Sequence, residues 1–256
     1  MASPAASPLE SSRLKARMRA RFARHAATYE RHAGLQRAIA ARLASHLPAH
    51  ESPHLLEIGC GTGFLTRHLL ERYPDGHLLV TDIAPEMVAA CQTNFEGAAK
   101  ARFAVLDGEA PPGDTRFDLI VSSMVLQWFD DPSRGLERLR ARLSPGGVLL
   151  YAASGPDFLR EWTAVMREQG FALDDPPTAA LPGVFDEERT PVAYGSARDL
   201  LSELRGTGAA RPLGPGRRLT PHRLREAMTA FDRRHQARAT WHVLYGRLDG
   251  ERCPRP

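Results

Sequence analysis

The chain has 256 residues, of which 43% are hydrophobic and 25% are charged, and its formal net charge is +4. This composition suits one globular domain, with or without an insertion, and excludes a chain that is disordered by default. No apolar run approaches the roughly 18 residues of a membrane span, and the Ala/Ser/Pro-rich start lacks the apolar core of a signal peptide. We therefore expect a cytoplasmic protein without a membrane partner.

The first part of the chain predicts helices and strands that alternate. A basic helix is expected to about residue 31, and a second, amphipathic helix from Gly34 places Leu35, Ile39 and Leu43 on one face. Short helical segments then separate five apolar strands, which are HLLEIG (54–59), HLLVTD (77–82), ARFAVLD (101–107), FDLIVSS (117–123) and GVLLYAAS (147–154). This alternation predicts an α/β fold, with a mostly parallel sheet covered by helices on both faces.

After Ser154 the pattern changes. Residues 157–170 predict a helix, residues 174–191 a Pro-rich loop, and residues 196–208 a helix stopped by glycine. A further helix is expected to begin at Thr220, which is a good N-cap followed by proline, and the segment ATWHVLYGRL (239–248) predicts a final strand.

The segment LLEIGCGTGFLTRHLL (55–70) predicts a strand, a glycine-rich turn and a helix, as in many proteins that hold a nucleotide-like ligand. A dinucleotide fingerprint would require a third glycine at the position of Phe64, and Glu57 would repel a pyrophosphate. The same carboxylate suits an ammonium group. S-adenosylmethionine has an amino group, a sulfonium and a carboxylate but no phosphate, so we predict it as the cofactor.

Two more acidic residues follow strands at suitable places. Asp82 ends the second strand about 20 residues after the glycine loop, where a carboxylate can accept hydrogen bonds from the ribose hydroxyls. Asp107 follows the third strand, where it can accept a hydrogen bond from the adenine amino group. Either aspartate alone is equally typical of a helix cap. The predicted cofactor-binding residues are Glu57, Gly59, Cys60, Gly61, Gly63, Asp82, Ile83, Asp107, Gly108, Glu109 and Ser122.

Other kinds of site are disfavoured. His46, His50 and His54 have the spacing of metal ligands on a helix, but Pro48 and Pro53 interrupt any such helix, so no metal site is predicted. Enzymes that methylate a nucleobase amine would have an Asn/Asp-Pro-Pro-aromatic turn after the fourth strand. The corresponding segment here is SSMVLQWFDD, so nucleobase N-methylation is not predicted. An ionised carboxylate or enolate acceptor needs no side-chain base, which agrees with the absence of Cys, His and Lys from this segment.

The flanking segments resemble one family, the malonyl-carrier-protein O-methyltransferases of biotin synthesis, within the class I S-adenosylmethionine-dependent methyltransferases. The resemblance lies in Phe22 to Leu43 and in the segments VLQWFDDP, DFLREW, DLLSELRGTGA and ATWHVLYGRL. It implies methylation of the free carboxylate of a malonyl group on acyl carrier protein, which removes a charge that fatty-acid elongation enzymes would reject and so primes pimeloyl synthesis.

The resemblance also implies residue roles. Tyr29 would fold over the transferred methyl group, and Gln127 and Trp128 would line the pocket near the sulfonium, although Tyr29 and Trp128 suit a core of aromatic residues equally well. We expect residues 1–50 to form basic helices that cover the site. Residues 51–256 would form the methyltransferase domain, with an insertion at about 155–215 that covers the substrate.

The basic residues suit an acidic carrier protein. They are concentrated at 13–24 and at 211–238, and such patches steer an acidic partner, although a solvated face or a nucleic-acid site has the same charge. Arg189, Arg198 and Arg205 are the candidates for binding the malonyl carboxylate. The alternatives are methylation of a small carboxylic acid or quinone, binding of S-adenosylmethionine without catalysis, and methylation of RNA, which ranks last, so no nucleic acid is expected as a partner.

Overall fold

The computed structural model describes residues 15, 16, 20, 34–111, 113–171, 173, 178, 180–206 and 220–251. Tyr29, most of the basic segment 13–24 and residues 211–219 lie outside the described residues. The helices with defined bounds are α1 (Gly34–Ala44), α2 (Phe64–Arg72), α3 (Pro85–Asn94), α4 (Pro132–Arg140), α5 (Arg160–Glu168), α6 (Ala197–Gly206) and α7 (Pro221–His235). The strands are β1 (His54–Ile58), β2 (His77–Asp82), β3 (Ala101–Val105), β4 (Phe117–Ser123), β5 (Leu143–Ser154), β6 (Val184–Ala193) and β7 (Arg238–Asp249).

The seven strands form one sheet in the order β3-β2-β1-β4-β5-β7-β6. Strands β1 to β5 are paired in parallel, whereas β7 lies antiparallel between β5 and β6. This architecture confirms the predicted α/β fold. The order reverses between β1 and β4, which is the point in an open parallel sheet where ligands bind beyond the carboxyl ends of the strands.

Neighbouring residues of the central strands pack into two different clusters. Leu55 on β1 and Leu119 on β4 belong to one cluster, and Leu56 and Ile120 belong to the other. Side chains of a strand alternate between its two faces, so both faces of the sheet are buried. The first cluster includes residues of α1, α2, α3, α5, α6 and α7, and the second includes residues of α4.

The Pro-rich segment contains a strand that the sequence prediction placed in a loop. Residues 174–191 were expected to be irregular, but β6 begins at Val184 and pairs with β7 along its length. Its residues alternate between exposed and half-buried because β6 is an edge strand with few apolar side chains. Pro191 is tolerated there, since an edge strand has one side without a neighbour to receive its N–H groups.

The helices after β5 follow the prediction more closely. Both α5 and α6 lie within the predicted helical segments, and α7 begins at Pro221 after Thr220, whose hydroxyl accepts a hydrogen bond from the Arg223 N–H. No helix in the described ranges is long and apolar enough to cross a membrane.

Candidate cofactor site

A cavity lies beyond the carboxyl ends of β1, β2 and β4, beside the reversal of strand order. Its lining contains eight of the predicted site residues, which are Gly59, Gly61, Asp82, Ile83, Asp107, Gly108, Glu109 and Trp128. Met124, Val125 and Phe129 contribute an apolar wall. Lys15, which had been assigned only to a basic surface patch, also lines the cavity.

The glycine loop is held by backbone hydrogen bonds to the neighbouring strand. The N–H groups of Gly59 and Cys60 both donate to the Thr81 carbonyl, at 2.8 and 2.9 Å. Gly63 has a φ of 101°, and a Cβ at this position would lie 2.3 Å from the ring of Phe95. Gly63 therefore shapes the turn into α2, whereas Gly59 and Gly61 reach the cavity itself.

Asp82 connects the glycine loop to the end of β2. Its Oδ2 accepts a hydrogen bond from the Gly61 N–H at 3.0 Å, and its Oδ1 accepts one from the Ala84 N–H at 2.9 Å. Burial raises the pKa of Asp82 above its ordinary value, and these backbone donors oppose that shift. Each carboxylate oxygen has two lone pairs, so Asp82 retains acceptor capacity for hydroxyl groups of a ligand.

Glu57 lies on the same face of β1 as Leu55 and is buried behind the cavity. Its exposed fraction is 1%, and its Oε2 accepts a hydrogen bond from the Thr66 hydroxyl at 2.7 Å. Burial raises the pKa of Glu57 to about 8, the Thr66 hydrogen bond opposes the shift, and the charge of Asp82 adds to it. Glu57 is thus not among the residues that line the cavity, and its carboxyl group contacts Thr66 of α2.

The cavity lining also contains two acidic residues that contact a lysine. The Lys15 ammonium lies 2.8 Å from Asp107 Oδ2 and 2.6 Å from Glu109 Oε2. The other oxygen of Asp107 accepts the Glu109 N–H at 3.0 Å. Glu109 Oε1 accepts the N–H groups of Asp130 and Asp131, so the end of β3 is tied to the start of α4.

The segment after β4 places its two predicted residues differently. Trp128 ends a short 3-10 helix (Leu126–Trp128) and lines the cavity. The Gln127 amide donates to the Met124 carbonyl at 2.7 Å, and Gln127 Oε1 has no hydrogen-bond partner among the described residues. Gln127 does not line the cavity in the described part of the chain.

Ser122 and Cys60 are buried beside the cavity. The Ser122 hydroxyl donates to the Ile58 carbonyl at 3.2 Å and so connects β4 to β1. The neighbouring Cys91 thiol and burial raise the pKa of the Cys60 thiol, which keeps it protonated and unreactive. Both residues support the lining from behind.

The three candidate arginines all lie on exposed surface away from the cavity lining. Arg189 on β6 pairs with Asp157 at 2.9 Å and Glu187 at 2.6 Å, and these carboxylates flank the buried side chain of His242. Arg198 and Arg205 lie on α6, where both are exposed. Arg189 thus differs from Arg198 and Arg205, because its guanidinium is already paired with two carboxylates of the chain.

The strand order, the glycine loop and the acidic residues at the strand ends define a class I methyltransferase. The methyltransferase domain family matches residues 56–149, which include the glycine loop and β1 to β5 in large part. The fold is similar to that of the YcgJ protein from Bacillus subtilis, with a TM-score of 0.58 at 13% identity over 84% of this chain and 99% of that one.

Relatives over most of the chain identify the family. The chain is 38% identical to the malonyl-[acyl-carrier protein] O-methyltransferase of Magnetococcus marinus over 237 residues, which cover 86% of this chain and 88% of that protein. It is 37% identical to the biotin biosynthesis bifunctional protein BioCD of Bordetella avium over 88% of this chain and 50% of that protein. The chain belongs to the malonyl-[acyl-carrier protein] O-methyltransferase family.

Proposed function

We propose that this methyltransferase transfers a methyl group from S-adenosylmethionine to the free carboxylate of a malonyl group on acyl carrier protein. The observation that carries the proposal is the 38% identity to the Magnetococcus marinus enzyme, which extends over 86% of the chain and so includes the parts outside the common methyltransferase domain. The product would be the methyl ester that primes pimeloyl synthesis for biotin.

The contacts of the cavity suit this cofactor at several points. Asp82 would accept hydrogen bonds from the ribose hydroxyls, and Asp107 would accept one from the adenine amino group, since both carboxylates line the cavity and retain free lone pairs. Gly59 and Gly61 allow the ligand to approach the backbone closely. Glu57 would act from behind the loop on the ammonium group, and Tyr29, outside the described residues, is assigned to cover the methyl group.

Methyl transfer to a carboxylate depends on alignment of the reactants and exclusion of water more than on acid or base groups. S-adenosylmethionine, when bound, would supply the methyl group: an O–CH3 bond would form to the acceptor carboxylate as the S–CH3 bond breaks, which leaves a neutral thioether and requires no proton transfer. Met124, Val125, Trp128 and Phe129 form an apolar wall that would desolvate the attacking carboxylate. The described residues of the lining include no histidine or cysteine that could serve as a base, which agrees with a carboxylate acceptor.

We assign carrier-protein docking to the α6–α7 surface, which is defined by the exposed arginines Arg198, Arg205, Arg223, Arg225 and Arg233. Arg198 and Arg205 are seven residues apart, so they lie on the same side of α6. The two helices pack against each other, and positive charges on both would attract an acidic partner.

The proposal is tested by mass spectrometry of acyl carrier protein that carries malonyl-phosphopantetheine, after incubation with this protein and S-adenosylmethionine. We expect the acyl group to gain the mass of one methylene, and to gain nothing without the enzyme. Free malonate and malonyl-coenzyme A serve as parallel acceptors. Equal turnover of free malonate would overturn the assignment of a carrier-protein substrate and favour a methyltransferase for small acids.

A further inference from the structure

Lys15 is a basic residue that the structure turns away from the surface. The 34 basic residues of the chain include only two lysines, at positions 15 and 100. The side chain of Lys15 is 19% exposed, whereas that of Lys100 is 42% exposed and pairs with Asp75 at 2.7 Å. Lys15 is therefore poorly placed to attract a partner in solution, although it was counted in the basic segment 13–24.

The position of Lys15 is determined by three carboxylates, two from the loop after β3 and one from the segment before α4. Its ammonium lies 2.8 Å from Asp107 and 2.6 Å from Glu109, and Asp130 lies further away at 3.9 Å. Arg138 also approaches, but its guanidinium donates to the Glu109 carbonyl at 2.8 Å. Among the described residues, Lys15 is thus the cation that directly neutralises the Asp107 and Glu109 carboxylates.

The Lys15 side chain is protonated at physiological pH. Burial by itself would lower the pKa of the ammonium, but the contacts with the Asp107 and Glu109 carboxylates outweigh burial and raise the pKa above its ordinary value. A charge-assisted hydrogen bond of this kind fixes the direction of the carboxylate that accepts it. Asp107 is held in this way through one oxygen, while its other oxygen is held by the Glu109 N–H.

We propose that Lys15 is a positioning residue of the cofactor site, whose ammonium bridges Asp107 and Glu109 and orients the Asp107 carboxylate toward the adenine amino group. The inference rests on the proposed binding of S-adenosylmethionine in this cavity. Without the lysine, the two carboxylates repel each other, and Asp107 turns toward water. Lys15 also forms part of the cavity wall, so its methylene groups shield the bound adenine end.

The first test measures the dissociation constant of S-adenosylhomocysteine by calorimetry, in the absence of any acceptor. We expect Lys15→Met to raise the dissociation constant about tenfold, because a charge-assisted contact that orients Asp107 is lost, and Lys15→Arg to retain most of the affinity. Lys100→Met is the matched control, since it removes an ion pair of similar length whose residues do not line the cavity. Thermal melting establishes that each variant is folded.

The kinetics separate cofactor positioning from carrier-protein docking. Lys15→Met should raise the KM for S-adenosylmethionine and leave the KM for the acceptor unchanged when the cofactor is saturating. A raised KM for the acceptor with unchanged binding of S-adenosylhomocysteine would overturn the inference and return Lys15 to the docking surface. If the unaltered protein fails to bind S-adenosylhomocysteine, the proposed function itself fails.

The second test uses amine-selective acylation, because the chain has only two lysine side chains to label. Peptide mass spectrometry gives the labelling rate of Lys15 relative to that of Lys100 in the same sample. We expect Lys15 to react more slowly than Lys100, and S-adenosylhomocysteine to slow it further. Faster labelling of Lys15 with the ligand bound would show that the adenine group displaces the lysine, which would overturn the inference.

Discussion

At the scale of single residues, Glu57 links the chemistry of the cofactor to the stability of the protein. Its carboxyl group is buried behind the glycine loop, and burial raises its pKa to about 8. At neutral pH the free protein therefore holds Glu57 mainly in its protonated form. An ammonium group that binds nearby would favour the carboxylate, so binding of the cofactor and loss of this proton are coupled.

We predict that binding of S-adenosylmethionine at pH 7 releases up to about one proton from Glu57. Calorimetry in buffers with different ionisation enthalpies measures this number directly. The release should shrink above pH 9, where the carboxyl is already ionised, and should be absent in Glu57→Gln. Equal proton release in the variant would remove Glu57 from the electrostatics of the site.

The same shift predicts how stability depends on pH. The pKa of Glu57 is raised from 4.5 to about 8 on folding, so the folded state holds a proton that the unfolded state has lost. Its stabilising contribution is full below about pH 4.5 and is lost as the pH rises toward 8. Urea unfolding at several pH values should show a shallower decline in Glu57→Gln. A decline of equal slope in both proteins would assign it to other groups.

Gly63 provides a prediction about the turn that precedes α2. A Cβ at Gly63 would meet Phe95 at 2.3 Å, in addition to the strain of its φ of 101°. We expect Gly63→Ala to lower the free energy of unfolding by about 2–4 kcal/mol. Gly97→Ala is the control, because Gly97 has a similar φ of 93° with no atom within 4 Å, and it should cost only about 1–2 kcal/mol. Equal losses would mean that Phe95 moves aside freely.

At the scale of elements, the six strands predicted from apolar runs are all present, and β6 is the one that was missed. Strands β1, β2, β4, β5 and β7 are rich in apolar residues because most of their side chains are buried, whereas β3, at the other edge of the sheet, has no buried residue. Strand β6 carries three consecutive acidic residues and a proline. Its extended form depends on pairing with β7, which comes some fifty residues later, and no local pattern encodes that pairing.

The α1 helix provides the ionic contacts that hold β6 from the side. Arg42 donates to Asp186 and to Glu188, both at 2.7 Å. We predict that Arg42→Met accelerates amide hydrogen exchange in β6 while it costs less than about 1 kcal/mol of global stability, because the pairs are partly exposed. Exchange in β1 and β4 should stay unchanged. Lys100→Met, which breaks a comparable ion pair at β3, should leave β6 unaffected.

The site was predictable to the extent that it is built from strand ends. Asp82 and Asp107 follow adjacent parallel strands, so the fold alone brings them to one edge of the sheet. Lys15 was not predictable as a site residue, since its partner Asp107 lies 92 positions away and all the charged residues from 13 to 24 are basic. The one signal in the sequence was that Lys15 is one of only two lysines in an arginine-rich chain.

At the scale of the whole molecule, positive charge on the α6–α7 surface faces away from α4, which packs on the other face of the sheet. We predict that reversing two charges, in Arg198→Glu with Arg205→Glu, raises the KM for malonyl-carrier protein about tenfold at low salt, with a smaller effect at high salt. Turnover of malonyl-pantetheine should be unchanged.

The matched control for this surface is Arg134→Glu, because Arg134 is an exposed arginine of α4 on the opposite face. It reverses one charge, so it is compared with Arg198→Glu or Arg205→Glu alone, and it does not touch the proposed docking surface. An equal rise in KM with the control would show that overall charge, and not a defined surface, attracts the carrier protein.

The position of β7 between β5 and β6 has a consequence for biosynthesis. Strand β7 follows every other described element in the chain, yet it supplies the pairing that joins β5 to β6. While the ribosome is still making the chain, β5 has an open edge and β6 has no partner, and open edges invite aggregation. We therefore expect the edges of β5 and β6 to remain unpaired until β7 has been synthesised, so that the sheet is completed in one late step.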